Sequence, residues 1–220
     1  MQTRHLNLAE LADTVAAAEP DLDPAGERVA LATYRLLALG VPVPPAEVAA
    51  AAEVPVPHVE ALLERWPGVY RDPDGNVIGF WGLAIDELTP THRFEVDGRA
   101  LYGWCAWDTL FLPGILDRTG RVTSTCPTTG EEIELLVGPD GVIETSHSGA
   151  VVSFLRPDGA FEDDVVMRFC HFVYFFANRQ AGEAWISEHA GTFLLSADEA
   201  FELGVLTNNR HFPTMLGGGR

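Results

Sequence analysis

Apolar positions recur at helical spacing through the first part of the chain. Leu6, Leu8, Leu11 and Val15 put one stripe on a segment from Leu6 to Glu19, with Asn7 or Thr3 as its cap. Pro20, Pro24 and Gly26 break that segment. Val29, Leu31, Tyr34, Leu37 and Ala38 mark a second amphipathic helix over 27–39, which Gly40 stops. Pro44 and Pro45 open a short alanine-rich helix to about Glu53. A further helix starts at Pro57, carries Val59, Leu62 and Leu63 on one face, and ends at Trp66-Pro67-Gly68. A hairpin follows, with strands 69–71 and 77–80 around Asp72-Pro73-Asp74-Gly75.

From about Thr91 the pattern changes to short strands and turns. Residues 93–96 read as a strand turning at Asp97-Gly98. The apolar, aromatic stretch 101–116 predicts a helix over 105–112, broken near Pro113-Gly114. Residues 121–126 and 131–137 form a hairpin about Pro127-Thr128-Thr129-Gly130, and 142–145 and 150–155 are short strands. An acidic helix is expected over 161–167, and the nearly continuous apolar run 169–176 reads as a buried strand. Helices over 182–189 and 196–208 close the chain, the last opened by Ser196 with Glu199 as a capping box. The pattern predicts an α+β fold. A winged-helix-like helical domain would cover 1–90, a mixed β-sheet domain with flanking helices 91–212, and a disordered tail 213–220.

Composition narrows the uses of this fold. The 220 residues are 47% apolar, enough for a substantial core, and no run nears the roughly 18 apolar residues of a membrane span. No basic segment leads a hydrophobic block, so a secretory signal is not expected and the chain reads as cytoplasmic. The net charge is −18, and all fourteen basic residues are arginine. Such a field repels phosphate. The recognition segment of a winged helix would be 57–65, where Arg65 is the single full positive charge, so neither nucleic acid nor membrane is an expected partner.

Three cysteines are too few for a disulfide framework. Cys105 and Asp108 lie three apart within Tyr102-Gly103-Trp104-Cys105-Ala106-Trp107-Asp108-Thr109, a spacing that would put thiol and carboxyl on one helix face. A carboxyl in such apolar surroundings is either a helix cap beside a buried thiol or a group prepared to hold and release a proton. Spacing leaves both open. Cys170 reads as a core thiol of the strand 169–176, with His171 on the opposite strand face. Cys126 precedes a turn and reads as structural. No CxxC, HxxxH, phosphate loop or nucleophile elbow is present. The residues alone thus give a thiol–carboxyl pair and a distant thiol.

Several blocks are more specific. The segment from Phe94 to Leu110, the run Arg121-Val122-Thr123-Ser124-Thr125-Cys126-Pro127-Thr128-Thr129-Gly130 and the run from Phe169 to Ala177 each resemble the organomercurial (alkylmercury) lyases. So do Glu199-Ala200-Phe201-Glu202-Leu203-Gly204 and Asn209-Arg210-His211, all in the family's order. The resemblance implies an enzyme of mercury detoxification that cleaves carbon–mercury bonds by protonolysis. It implies Cys105, Cys170 and Asp108 as catalytic and mercury-binding residues, and Cys126 as structural. His171 stands where some relatives carry a further cysteine. The resemblance also implies an organomercurial substrate, no cofactor, and small thiols or a mercuric reductase as acceptors of Hg(II). The same cysteines would suit a non-catalytic soft-metal binder or a metal-sensing regulator, from which Asp108 sets a lyase apart. Because the negative field opposes thiolate formation, local help for Cys105 is expected, from a helix N-terminus or Arg99.

Overall fold

Helix α1 (Leu8–Ala16) starts where Asn7 accepts hydrogen bonds from the Ala9 and Glu10 amides, and it buries Leu11, Ala12 and Val15. The structure, a computed structural model, describes residues 7–89, 91–162 and 164–217, so Thr3 and Leu6 lie outside the described residues. Asp23 caps α2 (Pro24–Leu37) through the Gly26 amide at 2.7 Å. Both α3 (Pro45–Ala52) and α4 (Val56–Arg65) carry proline in their first turn, where its missing N–H costs no helical bond. Strands β1 (Val69–Arg71) and β2 (Val77–Phe80) make the expected hairpin, and a bridge joins Val43 to Val77.

That hairpin does not stand free. β2 pairs with β3 (Leu83–Ala84), and β3 with β5 (Arg99–Gly103), which pairs with β4 (His92–Val96). After α5 (Asp108–Leu116), β6 (Gly120–Thr125), β7 (Glu132–Gly138) and β8 (Gly141–Thr145) extend the sheet. Its eight strands run in the order β1-β2-β3-β5-β4-β6-β7-β8, and every pairing is antiparallel, as short connections dictate. A second sheet, β10-β9-β11, is built from β9 (Val151–Leu155), β10 (Phe175–Phe176) and β11 (Thr192–Ser196). Between β9 and β10 lie α6 (Val165–Arg168) and a 3₁₀ turn, Cys170–Phe172. Helices α7 (Arg179–Ile186) and α8 (Ala197–His211) follow. The Ser196–Glu199 capping box is formed as expected.

One continuous apolar cluster joins the N-terminal helices to both sheets. Glu27 of α2, almost fully buried, accepts the backbone amides of Thr214 and Met215. Residues 213–216, read from sequence as the start of a tail, therefore form a turn held against α2; residues 218–220 lie outside the described residues. From the last turns of α8, Arg210 reaches back to α1, pairing with Asp13 and donating to the Ala9 carbonyl at 3.1 Å.

Two expectations fail where the chemistry is concentrated. The helix expected over 105–112 starts at Asp108 and runs through Pro113 to Leu116. Proline removes one helical hydrogen bond, but burial of Leu110, Leu112, Ile115 and Leu116 outweighs it. The strand expected over 169–176 is strand only at 175–176. Ser153 explains this. Its hydroxyl donates to the Phe172 carbonyl at 2.8 Å and accepts from the Tyr174 amide at 3.0 Å, satisfying backbone that a ladder would otherwise have to pair. His171 is consequently an exposed residue of a turn, not the reverse face of a strand.

Phe94 of β4 is fully buried, and its ring fills the space a side chain on Gly120 would need, since a Cβ there would fall 2.1 Å from the ring. Phe94→Ala is expected to lower unfolding stability by about 3–5 kcal/mol, read as a lower urea midpoint with an unchanged slope.

Candidate active site

Three backbone amides, donating to two carbonyls and one carboxyl, place the loop between β5 and α5. The Trp104 amide donates to the Gly82 carbonyl at 3.1 Å, and the Ala106 amide to the Val173 carbonyl at 3.1 Å. The Cys105 amide, between them, donates to Asp108 Oδ2 at 2.6 Å. The Val173 amide in turn donates to the Cys170 carbonyl at 3.0 Å, closing the 3₁₀ turn. The loop is thereby tied to the turn carrying Cys170. The ligand atoms of Cys105, Asp108 and Cys170 all lie within 4.8 Å of one another, and all three residues are buried. No other such group of three occurs among the described residues.

The Asp108 carboxyl accepts from the amide three residues before it and stands beside two thiols; it does not cap α5, whose N-cap is Trp107 with no side-chain hydrogen bond. The approach depends on Gly82, where φ is +94° and a Cβ would lie 2.5 Å from Asp108 Oδ1. Trp81, just before it, has φ +37°, a costly conformation for an aromatic residue. It is held there by Tyr34, whose hydroxyl donates to the Trp81 carbonyl at 2.7 Å, and by its own indole N–H donating to the Pro67 carbonyl at 2.8 Å.

Burial dominates the electrostatics. It raises the Asp108 carboxyl from 3.8 to about 7, although hydrogen bonds from Cys105 and Trp104 oppose the rise. It also raises the Cys105 thiol well above its ordinary range, assisted by the hydrogen bond to Cys170 and the nearby Asp108. For Cys170 the hydrogen bond from Cys105 lowers the value, but burial and Asp108 outweigh it and the net direction is up. Of the two helpers expected for Cys105, one is present: the backbone amide of Asp108, the first residue of α5, hydrogen-bonds the thiol and lowers its value, though burial outweighs it. Arg99 gives no such help, lying at the far end of β5 against Gly40.

Beside Asp108 and Cys170 is a narrow cavity of about 60 Å³. Trp104, Trp107, Phe111 and Phe169 form its buried walls, with Asp108 and Cys170 at the floor. Glu19, Pro20, Pro67, Trp81, Phe161 and Val165, all partly exposed, line its mouth. Cys126 is outside the cluster, at the start of the 126–130 turn. Burial pushes its thiol up, but hydrogen bonds from Thr129 and from the backbone of Ala177, Thr129 and Thr128 prevail and hold it below its ordinary range. Sequence reading missed Gly82, Glu19 and the aromatic walls. Gly82 left a faint signal, a lone glycine after an aromatic residue, but Glu19 left none.

Two buried thiols beside a carboxyl raised to about 7 form a donor set suited to a soft metal. Comparison with known proteins gives the class its particular form. The MerB family, described as alkylmercury lyase, matches residues 87–207. The alkylmercury lyase of Staphylococcus epidermidis is 42% identical over 171 residues, covering 77% of this chain and 76% of the relative. That of Pseudomonas putida is 42% identical over 172 residues, covering 78% and 79%. The crystal structure of the mercury-bound form of MerB2 shares the fold, with TM-score 0.72 at 22% identity over 92% of this chain and 98% of that one. The chain belongs to the alkylmercury lyase family, enzymes that cleave carbon–mercury bonds.

Two outcomes follow from this geometry. Gly82→Ala would push the Asp108 carboxyl away and is expected to lower turnover by about 10²-fold, measured as hydrocarbon release. Because the folded-state value of Asp108 is raised, its contribution to stability is fully present below pH 3.8 and is lost as pH rises through about 7. Asp108→Asn is therefore expected to flatten the decline in urea midpoint across that window.

Proposed function

We propose that Cys105, Asp108 and Cys170 carry out the protonolysis of an organomercurial, R–Hg–X, to a hydrocarbon and Hg(II) in mercury detoxification. The observation that carries this reading is the approach of two thiols and a carboxyl raised to about 7 within 4.8 Å of one another, with Asp108 and Cys170 lining an aromatic cavity. Mercury(II) is soft and prefers thiolate ligands. Both thiols are held neutral by burial, so each must lose its proton as it binds. The Asp108 carboxyl, raised to about 7, is near the balance point for taking a proton from a thiol and giving it back.

As one thiol captures mercury, the ionised form of Asp108 accepts its proton. The second thiol completes the coordination. Two sulfur donors increase electron density in the Hg–C bond until the carbon is basic enough to be protonated, and Asp108 returns the proton there. The Hg–C bond breaks with its electron pair going to the new C–H bond. Dry, aromatic walls favour this sequence, because water would otherwise hydrate the carboxylate and lower its basicity. The proton and the ligands all come from side chains, so the reaction draws on no organic cofactor. External small thiols or a mercuric reductase then remove Hg(II) from Cys105 and Cys170. Free, buried thiols fit a reducing compartment such as the cytoplasm; no helix among the described residues is long and apolar enough to cross a membrane.

The test is methane release from methylmercury in the presence of excess thiol. Cys105→Ser and Cys170→Ser are each expected to reduce it at least about 10²-fold, and Asp108→Ala to abolish it while mercury binding persists. Turnover retained in both cysteine variants would refute the assignment. Mercury binding without methane from the unmodified protein would mark a soft-metal binder instead.

A further inference from the structure

Protonolysis uses two thiols but places only one of their protons on carbon. Written in full, R–Hg–X and two Cys–SH give R–H, mercury bound by two thiolates, and H–X, where X is the thiolate that carried the organomercurial in. One proton must therefore pass from the floor of the cavity to a group departing through its mouth. Product release makes the reverse demand. Two external thiols that lift mercury away must return two protons to Cys105 and Cys170. Between floor and mouth the walls are apolar or aromatic, and among the described lining residues the titratable groups are Asp108, Cys170 and Glu19.

Glu19 lies in the connection between α1 and α2, and its side chain is 21% exposed. Its Oε2 is 2.9 Å from Nδ1 of His211, the last residue of α8. The other ring nitrogen, Nε2, is 3.1 Å from the Pro20 carbonyl. A carbonyl can only accept, so Nε2 carries a hydrogen. Nδ1 faces the Glu19 carboxyl, so a second proton on the imidazole makes the two an ion pair. In that state the pair carries one proton it can pass on. The ring is mostly buried and lies against Trp81, with centroids 5.1 Å apart, so His211 is fixed behind the mouth while Glu19 meets solvent.

Other charges favour a loaded pair. Burial would lower the His211 imidazole, but Glu19, the Pro20 carbonyl and Glu27 of α2 raise it above its ordinary range. Tyr34 of α2 and Asp108 of α5 both sense the Glu19 charge. Arg210, the neighbour on α8, is engaged by Asp13. We propose that Glu19 and His211 form a proton-relay pair at the cavity mouth, exchanging protons between Asp108 and the external thiol that delivers the organomercurial and removes mercury. The relay rests on the protonolysis reading and deepens it. Neither residue acts on the carbon.

The test uses the full chain with methylmercury and excess L-cysteine, comparing Glu19→Gln, His211→Gln and Glu19→Asp. Steady-state methane production is expected to fall by about 10²-fold in the two glutamine variants. Added imidazole buffer should restore it in proportion to concentration, while the unmodified protein ignores the buffer. Glu19→Asp, which keeps a carboxyl, should need no buffer. A purely architectural role would lower all three rates without recovery, and that result overturns the relay. So do unchanged rates in both glutamine variants. Methane yield in a single turnover with enzyme in excess reports separately whether the protonolysis centre is assembled. No methane from the unmodified protein would overturn the protonolysis reading, and the relay with it.

Discussion

The hydrogen bond from the Cys105 amide to the Asp108 carboxyl is the contact on which the site depends. It fixes the first turn of α5 against the loop leaving β5, and it holds a carboxyl where burial raises its value. Removing water from a carboxyl is costly unless it is paired. Here the pairing is partial. Backbone donors offset some of the cost, and the remainder appears as a carboxyl raised to about 7. In the proposed reaction the same incompleteness suits the group to act as both base and acid.

The surrounding architecture serves that placement. Gly82 lacks the side chain that would exclude Asp108, and Trp81 accepts an unfavourable backbone conformation to put Gly82 there. Tyr34 and the carbonyl of Pro67, both from the N-terminal half, hold Trp81 in place. The winged-helix-like elements are therefore mechanically part of the centre. They continue into the large sheet through β2 and β3 and share its apolar core. The hairpin is a scaffold strand pair here rather than a free wing.

Both sulfurs are held as thiols by burial rather than as thiolates by a nearby cation. A permanently charged dithiolate in a chain of net charge −18 would be costly to keep in a dry cavity. Neutral thiols avoid that cost until mercury arrives to replace their protons. In the proposed reaction that exchange sends protons through a narrow apolar cavity, and the carboxyl and imidazole of Glu19 and His211 are the groups proposed to carry them.

The chain's periodicity determined most of the elements. Proline and glycine punctuation located α2, α3 and α4, Asn7 and Ser196 located two helix starts, and alternation located most strands of the large sheet. Such signals are local, carried by residues a few positions apart. The sequence blocks around Cys105, Cys126 and Cys170 indicated the family. What the local pattern could not decide was the site's geometry. Cys105 lies outside α5, because the turn is fixed by Gly82 and Val173, which are distant in the chain. The apolar run at 169–176 bends into a turn because the Ser153 hydroxyl satisfies its backbone. Cys170 meets Cys105 through a hydrogen bond between Ala106 and Val173, and Glu19 meets His211 across nearly the whole chain. These are long-range contacts, and hydrophobic period carries no record of them; only the packed structure does.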